Sequence, residues 1–124
     1  MSVIVRDDGF HAEDYAGEAS LDIAHDTPPD AVPTDFAGVE LLRVTVPNFA
    51  DGRAFTLARH LRTNGYSGRL RATGPLIADQ YTMARRAGFD EVEIPDDLAA
   101  RQPAGQWLAR SDWRDHDYRS RLKA

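Results

Sequence analysis

A chain of 124 residues, 28% of them charged, with no cysteine and a net charge of −5, is long enough for one domain with a modest core and too short for two. The lack of thiols excludes disulfides, cysteine nucleophiles, zinc–thiolate centres and iron–sulfur ligation. No apolar run approaches the roughly 18 residues of a membrane span, and the acidic balance speaks against nucleic acid, whose phosphates call for a dense basic patch.

The start, Ser2-Val3-Ile4-Val5 running into Arg6-Asp7-Asp8-Gly9, lacks the basic and apolar regions of a secretory signal, so a cytoplasmic location is expected. His11, His25, His60 and His116 are scattered. His116 lies near Asp112 and Asp115, and no metal site is read from this pattern.

Charge is unevenly distributed. Residues 1–40 carry ten acids against Arg6 alone (net −9), whereas residues 41–124 carry fourteen bases against ten acids (net +4). The simpler reading is a solvated acidic arm. The alternative is that the arm lies along the basic remainder of the chain, or of a partner subunit, because opposite local potentials attract at short range.

In chain order, Val3–Val5 and Phe10 flank Asp7-Asp8-Gly9, an Asp-Gly hairpin signal in which both central residues accept positive φ. From His11 to Gly38 the pattern is acidic and interrupted by Pro28, Pro29 and Pro33, with Leu21-Asp22-Ile23 the one hint of an extended piece. Val39–Val46, stopped by Pro47, reads as the central strand of a parallel sheet, covered on both faces. Asp51 can cap a following helix that buries Ala54, Leu57, Ala58 and Leu61, turns Arg59 and Arg62 away, and ends at Asn64-Gly65. Gly68–Thr73 alternates polar and apolar residues and predicts a half-exposed strand nearer an edge. A second helix is expected from Gly74-Pro75, with Leu76, Ile77, Tyr81, Ala84 and Ala87 inward and Gly88 at its end. Phe89–Ile94 predicts a third strand, and Asp96 or Asp97 caps a helix that Pro103 breaks or restarts. The aromatic end, Trp107-Leu108 and Trp113 through Tyr118 to Lys123, reads as a helix docking on the sheet or an arm reaching a neighbour, with docking the expectation because aromatics bury large areas.

Strands alternating with helices predict an α/β domain, a small parallel sheet of β-α-β-α-β-α units. One domain of 1–124 is expected: an N-terminal ribbon and irregular acidic segment (1–38), the core (39–108) and a tail (109–124). Three parallel strands make a narrow sheet, so either the ribbon extends it or a second copy covers its open edge; a homodimer is the expectation.

Ligands of parallel α/β sheets bind beyond the carboxyl ends of the strands. Here that rim comprises Asn48, Asp51, Gly52, Arg53, Thr73, Gly74, Asp79, Gln80 and Asp96. Arg53 is a forked donor suited to a carboxylate, sulfate or phosphate, so a small oxyanion is the expected ligand. The plainer alternatives are that Asp51 is only a cap, that Arg53 pairs with Asp51 or Asp79, and that Arg71 is solvated or paired with one of the rim acids. No glycine-rich phosphate loop, serine triad, flavin or nicotinamide signature is present, and no cofactor is expected.

Phe49-Ala50-Asp51-Gly52-Arg53, Ala58-Arg59-His60-Leu61-Arg62, Gly65-Tyr66-Ser67-Gly68-Arg69-Leu70-Arg71-Ala72, Asp79-Gln80 and Arg86-Ala87-Gly88-Phe89-Asp90 together resemble a bacterial family catalogued as a domain of unknown function. Its members often carry an oxidoreductase label and are typically encoded beside sulfite reductase in assimilatory sulfate reduction. The resemblance covers about residues 44–94 and nominates Asp51, Arg53, Arg71, Asp79 and Gln80 as motif positions. It departs from the family pattern at Ala54-Phe55-Thr56, at Pro75, and at Ala87, where members often have cysteine. It implies an accessory or binding protein of sulfite assimilation, with sulfite reductase or another protein of that pathway as partner, or a small oxyanion as ligand. The rival readings are an enzyme using the same rim, with Asp51 or Asp79 as acid/base, and a structural dimer module.

Overall fold

The computed structural model describes residues 2–15, 17, 19–47, 52–109 and 111. Six strands, β1 (Ser2–Arg6), β2 (Gly9–His11), β3 (Ser20–Ile23), β4 (Leu41–Thr45), β5 (Arg69–Thr73) and β6 (Glu91–Pro95), form one sheet in the order β2-β1-β6-β5-β4-β3. Strands β3 to β6 run parallel, whereas β1 is antiparallel to both β2 and β6. The expected parallel arrangement holds for β3 to β6, and the antiparallel ribbon makes the sheet as a whole a mixed one. The ribbon extends it at β6, so no second copy of the chain is required to cover that edge.

The hairpin turns on Asp7-Asp8, with the positive φ of 122° at Gly9 alone. A turn that puts left-handed backbone on glycine spares both aspartates the steric cost. Leu21-Asp22-Ile23 belongs to a full edge strand, β3, paired in register with β4. Position in the sheet also corrects two expectations: β4 is fifth in order, not central, and β5 is interior. One face of β4 enters the core through Leu42 and Val44, while Arg43 is only partly buried and Thr45 is exposed.

Among the described residues there are four helices, α1 (Arg53–Thr63), α2 (Tyr81–Ala87), α3 (Asp96–Arg101) and α4 (Ala104–Leu108). Because β4, β5 and β6 follow one another across the sheet in a single direction, right-handed crossovers put α1 and α2 on the same face. The core lies there, between Val5, Leu42, Val44, Leu70, Ala72, Val92 and Ile94 of the strands and the buried stripe Ala54, Phe55, Leu57, Ala58 and Leu61 of α1. Alternation along each strand sends Arg43, Arg69, Arg71, Glu91 and Glu93 to the opposite face.

α1 closes at Asn64, whose N–H donates to the His60 carbonyl (2.8 Å), and the chain reverses at Gly65 with φ 105°. Arg62, expected to face away, instead folds back: it donates to the carbonyls of Tyr66, Gly68 and Gly88 and to the Asp90 carboxylate. α2 begins later than expected. Gly74 has φ 151° and Ile77 is extended, so the chain enters a 3-10 turn only at Ala78–Gln80 before Tyr81. Asp96 and Asp97 lie in the first turn of α3, whose cap is Pro95. Trp107 docks as expected, 1% exposed, edge-on to Tyr81 with ring centroids 6.0 Å apart. The tail from Trp113 onward lies outside the described residues. No helix among those described is long and apolar enough to cross a membrane.

Candidate functional site

Among the described residues, two polar regions arise from this fold, one at the strand ends and one on the face of the sheet that no described helix covers (the helix-free face). At the strand ends the chain leaves β3 through a β-turn, Ala24–Thr27, closed by Thr27 N–H to the Ala24 carbonyl (3.1 Å), to which the Thr27 hydroxyl also donates (2.7 Å). His25 and Asp26 are its central residues and project toward α1. Along α1, Arg53, Thr56, Leu57 and His60 stand at i, i+3, i+4 and i+7 and so share one side of the helix. Between turn and helix lies a cleft of about 260 Å³ lined by His25, Asp26, Thr27, Pro28, Arg53, Thr56, Leu57 and His60.

Arg53 Nη2 lies 2.9 Å from His25 Nε2. With the guanidinium donating, His25 accepts at Nε2 and carries its proton on Nδ1. The first turn of α1 holds no acid, so Arg53 adds a full positive charge to the partial positive end of the helix. Among the described residues, two imidazoles, two threonine hydroxyls, a guanidinium and the Asp26 carboxylate surround this space.

The other nominated residues lie elsewhere. Gly52 is the N-cap of α1, its carbonyl accepting from Phe55 N–H at 3.2 Å. Asp79 and Gln80 sit in the 3-10 turn beyond β5, where the Gln80 side-chain oxygen lies 3.5 Å from Ile77 N–H. Arg71 is on the helix-free face, and none of Arg71, Asp79 and Gln80 lines the Arg53 cleft. Asn48 and Asp51 fall outside the described residues. The fold brings His25 and His60 to Arg53, a grouping the sequence reading missed: the α1 spacing was visible for His60, but His25 reaches the rim only because β3 pairs with β4.

On the helix-free face, Arg71 is fully buried. Its Nε donates to Glu91 (2.6 Å), and its outer fork meets Glu13 at both oxygens (2.5 and 3.1 Å) and Glu93 (3.0 Å). Arg69 grips Glu91 through Nε and Nη2 (2.6 and 2.9 Å) and reaches Asp14 (2.5 Å), which also accepts from Arg6 (2.8 Å). The acidic arm therefore lies along the basic strands through Glu13 and Asp14, and the solvated-arm reading is corrected there. Arg71, by its hydrogen bond, holds the Glu13 carboxyl below its ordinary value, and Arg69 followed by Arg6 does the same for Asp14. Burial pushes Glu91 upward, but Arg69 and Arg71 outweigh it and the net direction is down.

Depressed carboxyls stabilise the fold above their ordinary value and lose that contribution as pH falls through the folded-state value. For Glu13 and Glu91 the loss begins near the ordinary 4.5 and runs downward. Thermal melts followed by circular dichroism between pH 7 and pH 2 should hold level above about pH 5 and then decline. Glu13→Gln should flatten part of that decline; an identical acid limb in the variant would contradict the pairing.

No protein of curated function and no solved structure matches the chain. A family model described as a bacterial protein of unknown function, DUF934, matches residues 20–122, a span that takes in β3 to β6, all four helices and every residue of the Arg53 cleft, and the chain belongs to that family.

Proposed function

We propose that the protein is a non-catalytic accessory protein that binds a small oxyanion in the Arg53 cleft, acting as one cytoplasmic domain alongside assimilatory sulfite reduction. The observation that carries this is the convergence of Arg53, His25, His60 and Thr56 on one cleft at the N-terminal end of α1. A bound anion there takes the guanidinium and the helix end together.

Sulfite and sulfate are the anions to test because the motif positions resemble proteins encoded beside sulfite reductase, and sulfite reductase or another protein of that pathway is the partner class. Isothermal titration of the full chain with sulfite, sulfate, phosphate and acetate tests the reading. Saturable binding of a sulfur oxyanion is expected, weakened about tenfold or more in Arg53→Ala, with the melt unchanged because Arg53 is exposed. No binding of any of these anions, or equal binding by Arg53→Ala, would overturn it. Turnover of sulfite by the purified chain would instead make the cleft an active site.

A further inference from the structure

The helix-free face offers a second recognition site, independent of the Arg53 cleft. Arg69 and Arg71, two apart on β5, point to the same side of the sheet. Both use an inner edge on Glu91, leaving outward donors that meet carboxylates from residues adjacent in sequence: Glu13 forks onto Arg71, and Asp14 bridges Arg69 and Arg6. Two-oxygen contact with a guanidinium is the geometry that recognises a carboxylate with directional specificity.

The manner of attachment is unusual for a purely structural tether. The hydrogen bonds of residues 12–15 to the sheet are all carboxylate to guanidinium; Tyr15 N–H turns back to Glu13, and the Tyr15 hydroxyl accepts from Ala19 N–H. None of these residues joins the apolar core. The Glu13 and Asp14 side chains are 40% and 49% exposed, whereas Arg71 beneath them is 0% exposed. Such a contact is screened by salt and opens locally without disturbing the core. Once it opens, Arg6, Arg69 and Arg71 outnumber Glu91 and Glu93, and the face turns positive.

We propose that this arginine face is a binding site for an acidic extended segment of another protein, one presenting two adjacent carboxylates, and that Glu13 and Asp14 occupy it in cis until displaced. The segment supplies the template for its own competitor: an acid pair matched to arginines two apart on one strand.

Fluorescence anisotropy with a labelled Gly-Ala-Glu-Asp-Tyr-Ala-Gly peptide tests this on the full chain. The double variant Glu13→Gln, Asp14→Asn should bind the peptide at least tenfold more tightly than the wild type. That binding should weaken as sodium chloride rises and be absent for the Gln-Asn version of the peptide. Binding no tighter than wild type, or equal binding of the Gln-Asn peptide, would overturn the proposal. Should the double variant fail to melt cooperatively, hydrogen exchange on the wild type decides. The amides of Tyr15 and Ala19, held by Glu13 and by the Tyr15 hydroxyl, should exchange faster with saturating Glu-Asp peptide than with its Gln-Asn version; unchanged exchange would overturn it equally.

Discussion

Arg71→Ala is expected to cost about 3–5 kcal/mol of folding stability, the range for removing one partner of a buried ion pair. The residue is 0% exposed, and Glu91, which it shares with Arg69, has a side chain only 3% exposed. Without Arg71, Glu91 keeps Arg69 but loses its innermost donor, and among the described residues Glu93 keeps the Ser2 hydroxyl at 2.7 Å. Burial then disfavours both charges, because the desolvation already incurred is no longer offset. The outer partner behaves differently: Glu13 can rotate into water, so Glu13→Gln should cost no more than about 1 kcal/mol, as for exposed pairs. Urea denaturation of the two variants measures the asymmetry. Similar small losses in both would mean that Arg71 does not hold the sheet's second face together.

Trp107→Ala should be equally damaging, at about 3–5 kcal/mol. The indole is 1% exposed, packs edge-on against Tyr81, and donates from Nε1 to the Gln102 carbonyl at 2.9 Å. It joins the short helix α4 to the start of α2, and α4 has only five residues, too few for intrinsic helical stability to hold it in place. Trp107→Phe retains an aromatic ring but leaves the Gln102 carbonyl without its donor, and should fall between the alanine variant and the wild type. Denaturation followed by circular dichroism separates the three. A Trp107→Ala loss below about 1 kcal/mol would place the indole outside the core.

What the sequence disclosed follows from the range of the interactions involved. The buried stripe of α1 was legible because amphipathic spacing is a local signal, and the hairpin because Gly9 sits beside the turn aspartates. β3 was hidden by its setting: four residues in an acidic, proline-rich stretch read as irregular, and they become a strand only by pairing with β4. β5 resembled an edge strand because its alternate residues are Arg69 and Arg71. In the fold β5 is interior because β4 and β6 pair with it, and its arginines are matched by Glu13, fifty-eight residues from Arg71, and Asp14, fifty-five from Arg69. No local pattern encodes a pairing at that distance.

The candidate site divides in the same way. Arg53 was visible as the residue opening a helix after a parallel strand, and the rim rule pointed to it. His60, one side of α1 away, was available from the helical period. His25 was not, since its place beside Arg53 depends on the β3–β4 register and on the turn that Thr27 closes. Arg71 was singled out as a motif position, but its surroundings, a ring of carboxylates on the face opposite the helices, required the sheet order to be known.

The measurement that bears most directly on oxyanion binding at the Arg53 cleft is an NMR titration with sulfite that follows the imidazole resonances of His25 and His60 together with the Arg53 Nε signal. All three should shift together with one saturation curve, and His11, on the far ribbon, should stay in place. Shifts confined to other residues, or an unperturbed His25, His60 and Arg53 at saturating sulfite, would contradict binding in the cleft.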